Sequence, residues 1–162
     1  MSITLSDIAK LILCVVICQL AGAIGSIPNA NSIPTWYATL NKPSFNPPNW
    51  IFAPVWITLY FLMGIAAFLV WNKGLDTPGV TTALILFVVQ LILNALWSWI
   101  FFGWKQIFPA FIEIVILWIM ILATMIQFFK ISIPAGILLI PYILWVSFAS
   151  VLNFSLWRLN RI

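Results

Sequence analysis

Long runs of apolar residues alternate with short polar stretches along the chain. The runs cover about residues 8–27, 50–71, 80–102, 109–129 and 135–157. Each is close to the ~20 residues that an α-helix needs to cross the hydrocarbon core of a bilayer. The runs are continuously apolar, whereas the strands of a membrane barrel alternate between apolar and polar positions. The pattern therefore predicts an all-α integral membrane protein, a five-helix transmembrane bundle with a long first loop, as one domain over residues 1–162.

The polar connectors differ in length. The first, 28–49, is long and rich in proline, whereas 72–79, 103–108 and 130–134 are short. Short links place consecutive helices side by side and antiparallel, which predicts a compact bundle. Three lysines lie on the side of the N-terminus, against four basic residues on the other side. By the positive-inside rule this favours a cytoplasmic C-terminus and a cytoplasmic first loop.

Composition narrows the class of function. Hydrophobic residues make up 64% of the chain and charged residues 6%, against roughly 25% charged in soluble domains, so lipid is the expected solvent. Basic residues form no run, which argues against a nucleic-acid partner. The chain has no histidine, which excludes a Ser-His-Asp triad and an imidazole ligand for zinc or heme iron. We therefore expect no metal site and no conventional enzyme.

Polar and aromatic residues recur at helical spacing within four of the runs. The four faces are Gln19, Gly22 and Ser26; Phe52, Trp56, Tyr60 and Met63; Gln90, Asn94, Trp97 and Phe101; and Tyr142, Trp145, Ala149 and Asn153. If the faces converge, they form an apolar cavity with a few polar groups, suited to a planar hydrophobic ligand. Alternatively, the same faces simply pack helix against helix, with amides joining helices by hydrogen bonds. Spacing alone leaves both interpretations open.

Two smaller features carry expectations of their own. Glu113 is the one acid inside an apolar run, and we expect it to pair with Lys105 or another basic group near the interface. Ala21 and Gly25 form a small-xxx-small pair, which allows a close helix approach either within the bundle or between subunits.

The stretch "WYATLNKPSFNPPNWIFAPVWITLYFLMG", from Trp36 to Gly64, resembles the signature of a known family. It is similar to that of the translocator protein family, also called tryptophan-rich sensory proteins or peripheral-type benzodiazepine receptors. Further blocks match in order: "LNALWSWIFFG" in the third run, the acid at Glu113, and "PYILWVSFASVLNFSLWRLN" in the fifth. The resemblance extends from about residue 36 to residue 160.

The resemblance implies a homodimeric five-helix protein whose first loop closes over a ligand pocket. The family's ligands are porphyrins such as protoporphyrin IX, isoquinoline carboxamides, benzodiazepines and, in animals, cholesterol. Carried over by position, Tyr37 belongs to the lid, Trp56 and Asn94 to the core of the pocket, and Trp145 and Ala149 to the fifth helix. Together with the periodic faces, the predicted ligand-binding residues are Tyr37, Phe52, Trp56, Tyr60, Gln90, Asn94, Trp97, Trp145 and Ala149.

The resemblance also leaves alternatives of function. Trp56 and Trp145 match tryptophans implicated in light-dependent porphyrin breakdown, so they are candidate catalytic residues in an enzyme-like alternative. A structural or partner-binding membrane subunit is a third possibility. No cofactor is expected beyond porphyrin as ligand, and without histidine metal-free porphyrin is favoured over heme. Lys42, near the lid, would attract a propionate.

Partner and location follow from two further points. Phe154 stands where the animal cholesterol motif has tyrosine, which disfavours cholesterol. Because the chain lacks an extended basic C-terminal tail, we expect a prokaryotic cell membrane, with a bacterial or mitochondrial outer membrane as the alternative.

Overall fold

The computed structural model describes residues 4–161, and these residues form helices, turns and loops without a strand. The α-helices are α1 (Leu5–Ser26), α2 (Asn29–Ser32), α3 (Phe52–Trp71), α4 (Val80–Ser98), α5 (Ile107–Ile131), α6 (Ile133–Leu138) and α7 (Ile140–Asn160). Five helical spans are long and apolar enough to cross a membrane: Leu5–Tyr37, Asn49–Trp71, Val80–Gly103, Ile107–Ile131 and Ile133–Asn160. The predicted all-α, five-span architecture is confirmed.

Helix α1 begins at Leu5, three residues before the predicted position. Thr4 caps the helix: its hydroxyl oxygen accepts the Asp7 N–H at 3.2 Å, and the Asp7 carboxylate accepts the Thr4 N–H at 2.9 Å. This reciprocal pair is a capping box, which satisfies two backbone donors that a helix start would otherwise leave free.

The predicted connector 28–49 is wrong over its first part, because the chain stays helical as far as Thr39. After α2 the chain continues as a π-helical turn, Ile33–Tyr37. Pro28 and Pro34, which suggested a loop, each stand at the start of one of these short pieces. Proline is tolerated there because the first N–H groups of a helix have no partner within it. Ala38 and Thr39 are still helical, so the non-helical loop is residues 40–48.

The remaining spans lie within a few residues of their predicted bounds. The predicted run 50–71 corresponds to a 3₁₀ turn at Asn49–Ile51 followed by α3, and the run 80–102 to α4 followed by a π-helical turn at Trp99–Gly103. The run 109–129 corresponds to α5, and the run 135–157 to α6 and α7. The last span is interrupted at Leu139. Pro141, which follows the break, has no N–H to continue the hydrogen bonding of α6.

The five spans pack as a closed ring. Helix α1 packs against α3 and α4, α4 against α5, α5 against α7, and α6 returns to α3. One half of the ring is filled by a buried cluster that includes Met63, Val70, Phe87, Ile121 and Phe128. The other half, towards the first loop, has a smaller buried cluster that includes Phe101 and Leu156, and it contains the cavity described below.

Glycines permit two of the close helix contacts. A Cβ atom at Gly64 would lie 2.6 Å from the Val15 backbone, where α3 crosses α1. A Cβ atom at Gly25 would lie 3.2 Å from the Ala95 backbone, where α1 crosses α4. Of the two uses considered for the Ala21 and Gly25 pair, the structure shows Gly25 in contact within the bundle.

Candidate functional site

A cavity of about 590 Å³ lies inside the loop-side half of the ring. Its walls come from α1 and its helical continuation, from α3 with the turn before it, from α4 with the turn after it, and from α7. Of the nine predicted ligand-binding residues, eight line it: Tyr37, Phe52, Trp56, Tyr60, Asn94, Trp97, Trp145 and Ala149. The faces of the four helices therefore converge on one space.

Gln90, the ninth predicted residue, does not line the cavity. It lies one helical turn before Asn94 and is almost fully buried, with 1% of its side chain exposed. The Tyr142 hydroxyl group donates a hydrogen bond of 2.7 Å to its Oε1 atom. The cavity ends before this turn of α4, so Gln90 lies behind its wall, and its assignment as a ligand contact stays a prediction.

Aromatic rings make up much of the cavity wall. The Trp56 ring lies 5.5 Å from the ring of Tyr60 on the same helix. Across the cavity, Trp145 of α7 meets the Phe52 ring edge-on at 5.9 Å. Rings held by other rings keep a fixed orientation, so they offer flat surfaces on which an aromatic ligand can stack.

The indole N–H groups of two wall residues differ in their bonding. The Trp97 Nε1 atom donates a hydrogen bond of 3.1 Å to Asn153 Oδ1, which holds its ring in place. The Trp145 Nε1 atom is buried and has no hydrogen-bond partner among residues 4–161. A buried donor without a partner costs free energy, so a ligand that offers an acceptor here would relieve that cost.

The floor of the cavity carries its two central polar groups. The Tyr60 hydroxyl group donates a hydrogen bond to Asn94 Oδ1, and Asn94 Nδ2 donates one of 2.8 Å to the Tyr142 oxygen. Asn94, predicted to bind the ligand directly, lines the cavity but is also bonded on both sides by protein groups. These bonds join α3, α4 and α7 at one point.

Hydrogen bonds and a ring contact attach the first loop to the bundle. The Tyr37 hydroxyl group donates a hydrogen bond of 2.8 Å to Asn46 Oδ1. Asn160, at the end of α7, accepts the Asn41 N–H at 2.9 Å and donates to the Asn41 carbonyl oxygen at 2.9 Å. Phe45 meets the Phe148 ring at 6.3 Å. The loop is thereby held over the loop-side end of α7.

Lys42 does not take the position expected for a residue that attracts a ligand. Its ammonium group donates hydrogen bonds to the carbonyl oxygens of Ala38 and Leu40 at 3.3 and 3.2 Å. It also lies 4.8 Å from the centre of the Tyr37 ring, a cation–π contact. Because the ammonium group is turned towards the loop backbone, Lys42 is not part of the cavity wall.

Several wall residues escaped prediction. Asn29, Ala30, Ile33 and Pro34 line the cavity from the helical continuation of α1, which sequence analysis assigned to a connector. Ser32 in the same segment donates a hydrogen bond of 2.6 Å to the Phe102 carbonyl oxygen, which fixes the segment against α4's extension. The position of each proline at the start of a short helical segment is the feature that could have indicated this continuation.

One side of the cavity reaches the outer surface of the bundle. Among its lining residues Ala23, Ser26, Ala30, Ala53 and Ile57 are also exposed. They belong to α1, its continuation and α3, where small side chains face each other. The Gln19 Nε2 atom, which donates 3.0 Å to the Ile57 carbonyl oxygen, joins the two helices next to this opening. The cavity is therefore open to the outside along α1, its helical continuation and the start of α3.

The acid inside the fourth span is not paired as predicted. Glu113 is buried, with 7% exposed, and neither of its carboxyl oxygens has a hydrogen-bond partner among residues 4–161. The expected ion pair with Lys105 is absent from that part of the chain. The reason is geometric: Glu113 lies two turns inside α5 and faces the bundle, whereas Lys105 precedes the helix in an exposed turn.

Phe154, the residue that disfavours a cholesterol motif, lies on the outer side of α7. Its ring packs against Phe111 at 5.2 Å and against Trp157 at 5.6 Å. An apolar ring in this place offers no hydroxyl group to a sterol, and the expectation against cholesterol stays a prediction.

Comparisons with known proteins agree with the resemblance. The chain matches the TspO/MBR family over residues 14–158. It is 44% identical over 154 residues to the tryptophan-rich protein TspO of Chlorobaculum tepidum, covering 95% of this chain and 98% of that protein. To the tryptophan-rich protein TspO of Archaeoglobus fulgidus it is 40% identical over 154 residues, covering 95% and 99%. To the translocator protein of Homo sapiens it is 40% identical over 127 residues, covering 78% and 75%.

The family match spans most of the chain, and each TspO relative is covered almost completely. The five apolar spans make the chain an integral membrane protein. On both grounds the chain belongs to the TspO/MBR family of tryptophan-rich sensory and translocator proteins of membranes.

Proposed function

We propose that this protein binds planar hydrophobic ligands of the tetrapyrrole class, such as protoporphyrin IX, in the loop-side cavity. Binding would serve a receptor or sensory role in the membrane, without obligatory turnover. The observation that carries the proposal is a cavity of about 590 Å³ walled by Trp56, Trp97 and Trp145. Its size is within the range of about 300–1,000 Å³ that is usual for small-molecule sites.

The chemistry of the wall suits a flat aromatic ligand. Stacking on the indole rings would supply dispersion and burial of apolar surface. Among the described residues that line the cavity none is charged, so charged substituents such as propionates would have to remain near the opening. Isoquinoline carboxamides and benzodiazepines have the same flat aromatic character, and we propose them as further ligands.

The lining also favours a metal-free porphyrin over heme. Iron in proteins is held by histidine, cysteine, methionine or tyrosine, and this chain has no histidine. Cys14, Cys18 and Met63 are buried in the filled half of the bundle and do not line the cavity. Tyr37 and Tyr60 do line it, but each hydroxyl group already has a hydrogen-bond partner.

Quenching of tryptophan fluorescence in purified, detergent-solubilised protein tests the proposal. We expect saturable quenching by protoporphyrin IX, a weaker effect of heme, and none of a sterol. Trp145→Ala should weaken protoporphyrin binding about tenfold, because a stacking surface is lost. Trp71→Ala, at the far end of α3, is the matched control and should leave affinity unchanged. Quenching that never saturates would contradict the proposal and favour a structural or partner-binding subunit.

A second candidate function is light-dependent breakdown of the bound porphyrin. The observation that favours it is that Trp56 and Trp145, the two candidate catalytic residues, both line the cavity. Illumination of the saturated complex in the presence of dioxygen distinguishes the candidates. A product that forms in light and is lost in Trp56→Phe or Trp145→Phe supports breakdown. Spectra that stay unchanged in light support binding alone.

The oligomeric state and the membrane in which the protein lies are also proposals. We infer a homodimer, for which the exposed apolar face of α1, including Ile12, Val16 and Leu20, offers surface. We infer a prokaryotic cell membrane as the location. Cross-linking in native membranes and fractionation of the source cells would test these two points.

A further inference from the structure

A chain of hydrogen bonds runs from the cavity floor into the interior of the bundle. Tyr60 donates to Asn94, Asn94 donates to Tyr142 at 2.8 Å, and Tyr142 donates to Gln90 at 2.7 Å. All four side chains are buried. The first two line the cavity, whereas Tyr142 and Gln90 lie behind it. The chain therefore connects a wall of the cavity to two residues that a ligand there does not touch.

The hydrogen bonds in this series all run in one direction from donor to acceptor. That direction determines whether the Tyr60 hydroxyl group offers a ligand a donor or an acceptor. A tyrosine hydroxyl group has one hydrogen to donate and lone pairs to accept with. The hydrogen of Tyr60 is committed to Asn94 Oδ1, so only its lone pairs remain. The same rule applies to Tyr142, whose hydrogen is committed to Gln90 Oε1. The Oε1 atom of Gln90 is the acceptor at the far end of the hydrogen bonds.

Neighbouring residues hold the Tyr60 ring in one position. The Gly22 Cα lies against the ring, so that a Cβ atom at this position would collide with it. The Trp56 ring lies 5.5 Å from it on the same helix. A ring confined in this way, with its hydroxyl group bonded to Asn94, keeps its oxygen at a fixed place in the floor.

We propose that Tyr60 selects ligands that present a hydrogen-bond donor to the cavity floor, and that Gln90 is the positioning residue that keeps Tyr60 an acceptor. This inference rests on the proposed function, because it concerns the same cavity. It names the class of ligand more narrowly: planar aromatic molecules with an N–H group.

Removal of the Gln90 side-chain oxygen, which accepts from Tyr142, should reverse the direction of these hydrogen bonds. In Gln90→Leu the Tyr142 hydrogen has no acceptor behind it, so it turns to Asn94. Asn94 then rotates its amide, accepts from Tyr142 and donates to Tyr60, which frees the Tyr60 hydrogen towards the cavity. Leucine is close to glutamine in size, and the exchange removes the Gln90 Nε2 atom, which has no hydrogen-bond partner among residues 4–161. The fold should therefore tolerate the change.

The relative binding of carbazole and dibenzofuran tests the proposed roles of Tyr60 and Gln90. The two probes are planar tricycles of the same shape, but carbazole has an N–H donor where dibenzofuran has an oxygen acceptor. Their dissociation constants are measured by tryptophan quenching for the wild type, Gln90→Leu, Tyr60→Phe and Thr124→Val. Thr124→Val is the matched control, because Thr124 is equally buried and polar but lies outside the chain.

The measured quantity is the ratio of the two dissociation constants, compared between variants, so that differences in how the probes partition into detergent cancel. We expect the wild type and Thr124→Val to favour carbazole by about tenfold, the effect of one hydrogen bond to a buried group. Gln90→Leu should reverse the preference to about tenfold in favour of dibenzofuran, a shift of the ratio of about hundredfold, and Tyr60→Phe should bring the preference close to one. A purely structural role of Gln90 would change both affinities in parallel and leave the ratio unmoved.

Two outcomes overturn the inference in distinguishable ways. If both probes bind saturably and Gln90→Leu leaves their ratio at the wild-type value, Gln90 does not set the direction, and the inference fails while the proposed function stands. If neither probe binds the wild type saturably, the cavity is not a site for planar aromatic ligands, and the proposed function fails with it.

Discussion

Buried polar side chains in this bundle differ in whether they have partners. Tyr60, Asn94 and Tyr142 bond to one another, and the spacing of each along its own helix was readable from the sequence. The hydrogen bonds between these residues could not be predicted from the sequence, because periodicity identifies a face of a helix but not the neighbour that it meets. Gln90 illustrates the limit: it lies on the same face as Asn94, yet one turn beyond the end of the cavity.

Glu113 gives a prediction at this scale. Its carboxyl group is buried without a hydrogen-bond partner among the described residues. Glu113→Leu should therefore raise the free energy of unfolding by about 1–3 kcal/mol, the usual penalty for a buried polar group without a partner. Thermal unfolding in detergent measures it, with Glu113→Gln, which keeps a polar group in place, as the control. A loss of stability in Glu113→Leu beyond that of Glu113→Gln would mean that the carboxyl group has a stabilising partner.

At the scale of elements, the end of the first span and the loop after it depart most from expectation. The prolines and asparagines between residues 28 and 37 suggested a connector, but the prolines occupy helix starts and the segment packs against Phe102 through Ser32. Such tertiary contacts cannot be read from local composition. The apolar runs of the other spans were readable, because membrane thickness alone fixes their length.

The pair between Asn41 and Asn160 yields a prediction for the loop. Asn160→Ala removes two hydrogen bonds that tie the loop 40–48 to α7. Each is worth about 1 kcal/mol, so exchange of the Asn41 amide hydrogen should become at least about tenfold faster. Hydrogen exchange followed by mass spectrometry measures this. Ser155→Ala on the same helix, whose hydroxyl group bonds within α7, should leave the loop unchanged. Unaltered exchange in Asn160→Ala would show that other contacts hold the loop.

At the scale of the whole molecule, the ring of spans is filled on one side and hollow on the other. The filled half carries the aliphatic and phenylalanine core, and the hollow half is walled by tryptophan, tyrosine and asparagine. The cavity is open to the outside along α1 and α3, two of the membrane-spanning helices. The sequence indicated which faces would meet, but not whether they would close up or leave space, since that depends on side-chain packing across four helices.

If the hollow half of the bundle is the binding site, a side chain that fills it should abolish binding. Ala149 lines the cavity on α7, and Leu144 on the same helix is 63% exposed on the outer surface. Protoporphyrin IX affinity is measured for the wild type, Ala149→Phe and Leu144→Phe, with thermal unfolding as a check of the fold. We expect at least about hundredfold weaker binding for Ala149→Phe, because the new ring occupies the ligand's space, and wild-type affinity for Leu144→Phe. Undiminished binding by a folded Ala149→Phe protein would contradict this assignment of the binding site.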